Sequence, residues 1–179
     1  MPAIAEGLAS RGVASLRFNF LYMERGSRRP DAPPLAHAVV RAAAAMAQEL
    51  APQLPLFAGG RSFGGRMSSQ AQALGALATV RGLIFFAFPL HPAGKPGAGR
   101  AAHLAQIALP MLFLQGDRDA LAELGLLESV LEGLKPRATL HLLEHADHNF
   151  HAPVRSGRRR GEALHEALDA ASAWIDRFI

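Results

Sequence analysis

The sequence predicts an α/β fold with a mainly parallel sheet of about five strands, flanked by helices on both faces. Short apolar segments of strand length alternate along the chain with longer segments of helical composition, an alternation typical of βαβ units. The clearest strand is 81–88, because it is apolar from Leu83 onward and is followed by Pro89, as expected of a buried parallel strand. The length of 179 residues suits one domain, and we expect residues 1–179 to form it.

Local signals place the elements in chain order. Gly12 ends a first helix, and a Pro- and Arg-rich loop over 21–34 separates a strand from an alanine-rich helix that ends before Pro52. The glycines of 59–65 predict a tight turn between a short strand and a helix. The predicted strands are 13–20, 54–58, 81–88, 110–115 and 138–143. The predicted helices are 3–10, 35–50, 66–77, about 100–107, about 121–133 and about 161–178.

Composition and charge exclude several classes of protein. The chain has no cysteine, which excludes a disulfide scaffold, a Cys-ligated zinc site and a cysteine nucleophile. No segment approaches the roughly 18 apolar residues of a membrane span, and the first residues lack the pattern of a secretory signal. The net charge of +4 is spread along the chain and is weak evidence for nucleic-acid binding. We therefore expect a cytoplasmic protein that binds neither membrane nor nucleic acid and needs no cofactor.

The pentapeptide Gly60-Arg-Ser62-Phe63-Gly64 lies between a predicted strand and a predicted helix, the setting of a nucleophile elbow. The reversal strains the Ser62 backbone and crowds its neighbours, so we expect only small residues to fit at Gly60 and Gly64. It exposes the Ser62 hydroxyl and leaves the Phe63 N–H at a helix start, where an oxyanion can be held. The pentapeptide alone leaves open a glycine turn with a helix-capping serine.

A serine nucleophile needs a base and an orienting carboxylate, and the sequence offers both after later strands. In hydrolases with this elbow the chain order is serine, acid, histidine. Asp117 and Asp119 follow the fourth predicted strand, and Asp147 and His148 follow the fifth. Asp119 is the preferred orienter and His148 the base, while Asp117 suits a turn cap and Asp147 suits its own loop. Because ligands of parallel sheets bind beyond the carboxyl ends of the strands, we expect these residues to meet Ser62.

The spacing His145-x-x-His148-x-x-His151 raises a metal site as an alternative. No carboxylate-rich helix and no His-Glu-x-x-His pattern supports it, so we expect no metal. The remaining histidines of the predicted elements are interpreted as structural; these are His37, His103, His141 and His165.

Taken together, the motifs resemble the small α/β hydrolases without a cap domain that are related to dienelactone hydrolase. The matching segments are Leu16-Arg-Phe-Asn-Phe20, Tyr22-Met-Glu-Arg-Gly26, Gly59-Gly-Arg-Ser-Phe-Gly-Gly-Arg-Met67, Phe88-Pro-Leu-His-Pro-Ala-Gly-Lys-Pro96, Leu114-Gln-Gly-Asp-Arg-Asp119 and Ala146-Asp-His-Asn-Phe150. The resemblance runs from about residue 3 to the C-terminus. It implies Ser62 as nucleophile, Asp119 as orienter and His148 as base. The resemblance does not identify a substrate, because the cysteine nucleophile of dienelactone hydrolase itself is absent.

The front of the sequence departs from that family. In that family, a further strand and a His-Gly-type loop would precede residues 3–20. In the sheet, the further strand would lie between the strands that correspond to 13–20 and 54–58. Three explanations are open: a start assigned too far downstream, which we prefer, a sheet that has closed up, or a truncated relic. The family's loop supplies a second oxyanion N–H, and losing one such donor costs on the order of 10²–10³ in rate. The empty strand position would leave two rows of backbone groups facing a gap.

We expect a serine hydrolase that cleaves an ester, thioester or similar acyl bond of a small substrate through an acyl-enzyme. The alternative is a non-catalytic α/β-hydrolase-fold binding or scaffold protein, since fold does not fix function. An arginine-based nucleic-acid binder is a third and weaker hypothesis. We expect a monomer or a homodimer.

Loops at the same edge are expected to shape the substrate pocket. Tyr22, Arg61 and His91 are predicted to contact the substrate, and Arg61 with Arg66 would favour an anionic one. The alternative for Arg66 is a structural ion pair with Glu24. No insertion between 81–88 and 110–115 is long enough for a lid domain, which suits small or exposed esters.

Overall fold

The computed structural model describes all of residues 1–179 and contains one sheet of four parallel strands in the order β1-β2-β3-β4. The strands are β1 (Leu56–Arg61), β2 (Val80–Phe86), β3 (Met111–Gly116) and β4 (Ala138–Leu143). The helices are α1 (Pro2–Ala9), α2 (Leu21–Glu24), α3 (Pro33–Leu50), α4 (Phe63–Leu74), α5 (Leu124–Glu132) and α6 (Glu162–Ile175), with 3₁₀ segments at Gly99–Gln106, Val154–Ser156 and Asp176–Phe178. The predicted α/β class is confirmed, with four strands instead of about five.

Alternate residues of β2 point into two apolar cores on opposite faces of the sheet. Leu83 and Phe85 belong to the core formed with α3, α4 and α5, whereas Ile84 and Phe86 belong to the core formed with α1 and α6. Burial on both faces explains why β2 is almost continuously apolar. Since all four strands are parallel, their carboxyl ends lie at one edge, where the turns after β1, β3 and β4 meet.

The sequence predicted a strand at 13–20, but the structure has no strand there, so that prediction is wrong. This accounts for the difference between five predicted strands and four observed ones. These residues connect α1 to α2 without helix, turn or strand, and residues 14–19 take part in none of the 102 backbone hydrogen bonds. The apolar pattern suggested a strand, but a strand exists only when another strand pairs with it. β1 pairs with β2 alone, so the sheet has not closed up by joining β1 to residues 13–20.

Smaller differences concern the ends of elements. The helix predicted from residue 66 begins at Phe63, because Ser62 completes the reversal by itself. The loop predicted over 21–34 contains the single turn α2 and the start of α3. None of the helices combines the length and apolar character needed to cross a membrane.

Candidate active site

Ser62 makes the whole reversal between β1 and α4, since β1 ends at Arg61 and α4 begins at Phe63. Its backbone angles, φ 49° and ψ −115°, are rare for a residue with a Cβ and indicate strain that the surroundings must hold. The Ser62 N–H donates to the Phe86 carbonyl at 3.1 Å, and the Arg66 N–H donates to the Ser62 carbonyl at 3.1 Å. The turn is therefore fixed to β2 on one side and to α4 on the other.

The steric requirements at the glycines around Ser62 differ from the predicted ones. A Cβ at Gly64 would find only Phe20 Cε2, at 4.0 Å, so the prediction that a small residue is required there is wrong. A Cβ at Gly65 would lie 2.7 Å from the Gly60 carbonyl oxygen, and one at Gly59 would lie 1.9 Å from the Ile84 carbonyl oxygen. Gly60 needs glycine because its φ is +148°, a region that side chains rarely allow.

The structure brings together the three residues predicted to carry the chemistry. His148 Nε2 lies 2.9 Å from Ser62 Oγ, and His148 Nδ1 lies 2.7 Å from Asp119 Oδ2. Asp119 Oδ2 accepts a hydrogen bond, so it selects the tautomer with the proton on Nδ1 and leaves Nε2 free to accept the Ser62 proton. The His148 side chain is 19% exposed and that of Asp119 is fully buried. This is the geometry of a nucleophile, a base and an orienting acid.

Asp119 is held by two further donors, one of which the sequence reasoning missed. Gln115 Nε2 donates to Asp119 Oδ2 at 2.5 Å, and the Leu121 N–H donates to Asp119 Oδ1 at 2.8 Å. Gln115 is fully buried near the end of β3, and its Oε1 has no partner. A lone polar residue in an otherwise apolar strand was the signal that could have identified it. Asp117 forms no hydrogen bond with His148; its backbone N–H donates to the Leu143 carbonyl.

The loop that carries His148 is fixed from both ends. Asp147 Oδ1 accepts the backbone N–H groups of Asn149 at 2.7 Å and His151 at 2.9 Å, which is the loop-fixing role expected of it. Arg61 donates to the His148 carbonyl at 3.2 Å and to Asn149 Oδ1. Arg61, which was predicted to contact the substrate, thus links the end of β1 to the loop that carries His148.

Phe63 opens α4, so its backbone N–H has no partner within the helix and points out beside Ser62. Its ring lies edge-on to Tyr22, with centroids 6.1 Å apart, and edge-on to Phe20 at 5.1 Å. Tyr22 is itself fixed, because its N–H donates to buried Asp31 Oδ2 at 2.9 Å. An aromatic wall therefore stands next to the N–H predicted to hold an oxyanion.

His91 does not occupy the pocket position predicted for it. It is buried, its Nδ1 lies 2.9 Å from the Pro92 carbonyl, and its Nε2 accepts the Glu123 N–H at 2.9 Å. Both ring nitrogens are used in joining two loops, which gives His91 a structural role. The sequence showed its place at a strand end but not the direction of its ring.

Arg66 remains without a carboxylate partner. The alternative of an ion pair with Glu24 is wrong, because Glu24 accepts a hydrogen bond from Asn19 Nδ2 at 2.7 Å and forms no salt bridge with Arg66. The Arg66 guanidinium lies over the Phe63 ring, 5.8 Å from its centroid. Burial, and then the charge of Arg100, lower the pKa of Arg66 from its ordinary value, and the group stays charged at neutral pH.

A second serine–histidine pair lies one helix turn beyond Arg66. Ser69 Oγ is 2.7 Å from His103 Nε2, and no carboxylate bonds to this histidine. Burial lowers the pKa of His103 to about 4, aided by the charges of Arg66 and His37. Ser69 is fully buried, so this pair has neither the acid nor the access that Ser62 has.

Ser62 is half-buried. Two concavities of the molecule, of about 720 and 470 Å³, are lined by other parts of the chain and include none of Ser62, Asp119 and His148. No three His, Asp or Glu side chains are grouped as metal ligands would be.

The chain belongs to the α/β hydrolase domain family, whose model matches residues 1–176. The predicted resemblance is thereby confirmed. Among solved structures, the chain is similar to an α/β serine hydrolase homologue from Coxiella burnetii (TM-score 0.71, 23% identity, 93% of this chain and 73% of that one). It is also similar to an α/β serine hydrolase without a lid from Xanthomonas campestris (0.69, 24%, 99% and 74%). A dienelactone hydrolase-like promiscuous phosphotriesterase from metagenomic libraries matches more distantly (0.52, 21%, 78% and 62%).

Proposed function

We propose that this α/β hydrolase cleaves an ester, thioester or similar acyl bond of a small substrate through an acyl-enzyme on Ser62. The observation that carries the proposal is the hydrogen-bonded series Ser62 Oγ, His148 and Asp119, at 2.9 and 2.7 Å. A serine hydroxyl is a weak nucleophile near neutral pH, and an adjacent oriented base is what activates it.

In the proposed reaction Ser62 Oγ attacks the carbonyl carbon while His148 Nε2 takes its proton. Asp119 holds the imidazole by Nδ1 and stabilises the imidazolium that forms. The tetrahedral intermediate collapses when its bond to the leaving group breaks, and His148 returns the proton to that group. A water molecule then attacks the acyl-enzyme by the same route and releases the acid and Ser62.

The oxyanion would be stabilised by the Phe63 N–H at the start of α4. Phe63 is the one donor that we assign. A single donor of this kind is worth on the order of 10²–10³ in rate. Covalent labelling reports the activated nucleophile itself, which is why it is a better first test than steady-state hydrolysis.

The substrate class follows from the groups left unpaired around Ser62. Arg61 is engaged with the His148 loop, whereas Arg66 has no acidic partner and lies beside the Phe63 ring. We therefore assign to Arg66 the recognition of an anionic group on the substrate. The connection between β2 and β3 is too short for a lid domain, which suits a small acyl group flanked by Tyr22 and Phe63.

Labelling with a fluorophosphonate, read by intact mass, tests the proposal. We expect one adduct on the parent chain and on Ser69→Ala, and none on Ser62→Ala. Ser69 is the matched control because it also bonds a histidine but lacks the acid. A parent chain that takes no adduct while folded would contradict the proposal and favour the non-catalytic binding protein.

A further inference from the structure

Two elements run side by side away from the strand-end edge that holds Ser62. α4 begins directly after the carboxyl end of β1, and the 3₁₀ segment Gly99–Gln106 follows the loop after β2 and leads back to the start of β3. The two elements are in contact, because Ser69 Oγ of α4 lies 2.7 Å from His103 Nε2 of the segment. The residues that precede this pair in either element are therefore nearer to the active site than the pair itself.

An arginine precedes each member of that pair by three residues. Arg66 lies three residues before Ser69, and Arg100 lies three residues before His103. Residues with this spacing share one face of an α-helix or of a 3₁₀ helix, so the two arginines lie next to each other on the Ser62 side of the pair. The pKa of Arg66 agrees with this placement, because it is lowered by burial and then by the charge of Arg100.

No acidic side chain neutralises these two charges. Neither arginine forms a salt bridge, and neither α4 nor Gly99–Gln106 contains Asp or Glu. Arg66 Nε is buried and has no hydrogen-bond partner. Two like charges held together with an unpaired buried donor cost free energy, and a bound anion would offset that cost.

The charge and the donors of this arginine pair indicate which anion fits. Guanidinium groups match the oxygen atoms of carboxylates and phosphates, and two of them balance a charge of about −2. A phosphate monoester carries about −1.5 to −2 at neutral pH, on three acceptor oxygens. A single carboxylate has less charge and fewer oxygens, and it would leave one guanidinium without a counter-charge.

We propose that Arg66 and Arg100 together bind a phosphate dianion, and that the substrate cleaved at Ser62 is an acyl ester that carries this phosphate. Arg66 lies one turn of α4 beyond Ser62, and its backbone N–H donates to the Ser62 carbonyl at 3.1 Å. A phosphate on the pair is thus close to the nucleophile. The substrate assignment rests on the proposed hydrolase activity, whereas the anion site does not.

Calorimetric titration with phenyl phosphate tests the anion site without turnover. The protein is the full chain with Ser62→Ala, and the matched ligand is phenyl sulfate, which has a similar shape but a single charge. We expect phenyl phosphate to bind at least about tenfold more tightly than phenyl sulfate. Equal affinities, or no saturable binding of phenyl phosphate, would overturn the proposal.

Substitutions that each remove one positive charge locate the anion site. Arg66→Gln and Arg100→Gln, made in the Ser62→Ala chain, should each weaken phenyl phosphate binding at least about tenfold. Arg81→Gln is the matched control, because Arg81 is exposed and lies near the start of β2, at the opposite edge of the sheet. Circular dichroism verifies that each variant is folded. A similar loss in all three would indicate attraction by net charge alone and would overturn the proposal.

A pair of esters tests whether the bound phosphate belongs to the substrate. Both release p-nitrophenol, and their acyl chains differ only in ending with a phosphate monoester or an uncharged hydroxyl. On the parent chain we expect KM to be at least about tenfold lower for the phosphorylated ester, and Arg100→Gln should abolish that difference. Inorganic phosphate should raise KM for the phosphorylated ester. If it instead changes kcat for the uncharged ester, free phosphate is the ligand and the substrate assignment is overturned.

Failure of the anion site and failure of the hydrolase activity give different results. A chain that binds phenyl phosphate through both arginines but is not labelled at Ser62 would refute the hydrolase, and the substrate assignment with it, and leave the anion site standing. A chain that is labelled at Ser62 but binds phenyl phosphate and phenyl sulfate equally would refute the anion site and leave the hydrolase standing.

Discussion

Asp119→Asn should disable the site by trapping His148 in the wrong tautomer. In the structure Asp119 accepts three hydrogen bonds, from Gln115 and His148 on Oδ2 and from the Leu121 N–H on Oδ1. Asparagine offers one oxygen and one NH₂ group, so it cannot accept on both sides. If its oxygen stays on His148, its NH₂ faces the Leu121 N–H, which is left without an acceptor at a cost of about 1–3 kcal/mol.

The opposite orientation of the introduced asparagine amide is favoured by a feature of Gln115. With the amide oxygen on Leu121, the NH₂ group faces Gln115 and His148 Nδ1. Gln115 can rotate its amide so that Oε1, which has no partner in the parent structure, accepts that NH₂. His148 must then accept on Nδ1, which puts its proton on Nε2, opposite Ser62, where it can no longer act as a base.

The expected loss of labelling rate follows from the tautomer preference and the lost charge. A preference of about 1–3 kcal/mol lowers the fraction of the active tautomer by roughly 5- to 150-fold. Loss of the carboxylate charge beside the imidazolium brings the total to on the order of 10⁴, the size of effect seen when a triad aspartate becomes asparagine. The assay is the second-order rate of fluorophosphonate labelling, with circular dichroism to verify folding. Labelling of Asp119→Asn within about tenfold of the parent, or an equal loss in the Asp117→Asn control, would refute the reasoning.

Four further outcomes are expected. Gly65→Ala should cost about 1–3 kcal/mol of unfolding free energy in urea because its Cβ meets the Gly60 oxygen, whereas Gly64→Ala should be neutral or stabilise by about 0.5–1 kcal/mol. Because the pKa of His103 is lowered from 6.5 to about 4 in the folded state, the unfolded chain binds the extra proton between those values. Stability should therefore fall as pH drops from about 6.5 to 4, by about 1–2 kcal/mol after allowance for partial exposure, and His103→Gln should remove most of that fall. Arg61→Met should lower kcat about tenfold or more with KM unchanged, since it frees the His148 loop; an effect on KM alone would instead indicate substrate contact. Arg66→Gln should raise KM about tenfold for a carboxylate-bearing ester and leave a neutral ester unchanged; equal effects on both esters would count against recognition of an anion.

The sequence predicted the relation between Ser62, Asp119 and His148 because that relation is set by topology. Parallel strands bring their carboxyl ends to one edge, so a residue's place after a strand fixes its place in the site. Side-chain direction is not fixed in this way. His91 follows a strand as His148 does, yet its ring turns inward to join two loops, and Gln115 supports Asp119 although it lies within a strand.

The error at residues 13–20 has a different origin. Alternating and continuous apolar patterns show that a segment is suited to a sheet, but pairing depends on the neighbour, which a local pattern does not contain. Val13, Leu16 and Phe18 have the composition of a strand and line an apolar cavity beside β1, yet the backbone of residues 14–19 forms no hydrogen bond to another backbone group. The steric demand at Gly65 was missed for the same reason, because it comes from the Gly60 carbonyl across the turn.

The arrangement of the sheet makes the serine the least supported member of the site. Asp119 follows β3, which has a strand on each side, whereas Ser62 follows β1, which has a neighbour on one side only. Its strained turn depends on the bond to the Phe86 carbonyl and on α4, while no strand pairs with the other side of β1. Since a catalytic side chain displaced by about 1 Å costs on the order of 10² in rate, mobility of β1 would lower the reactivity of Ser62 even with His148 and Asp119 in place.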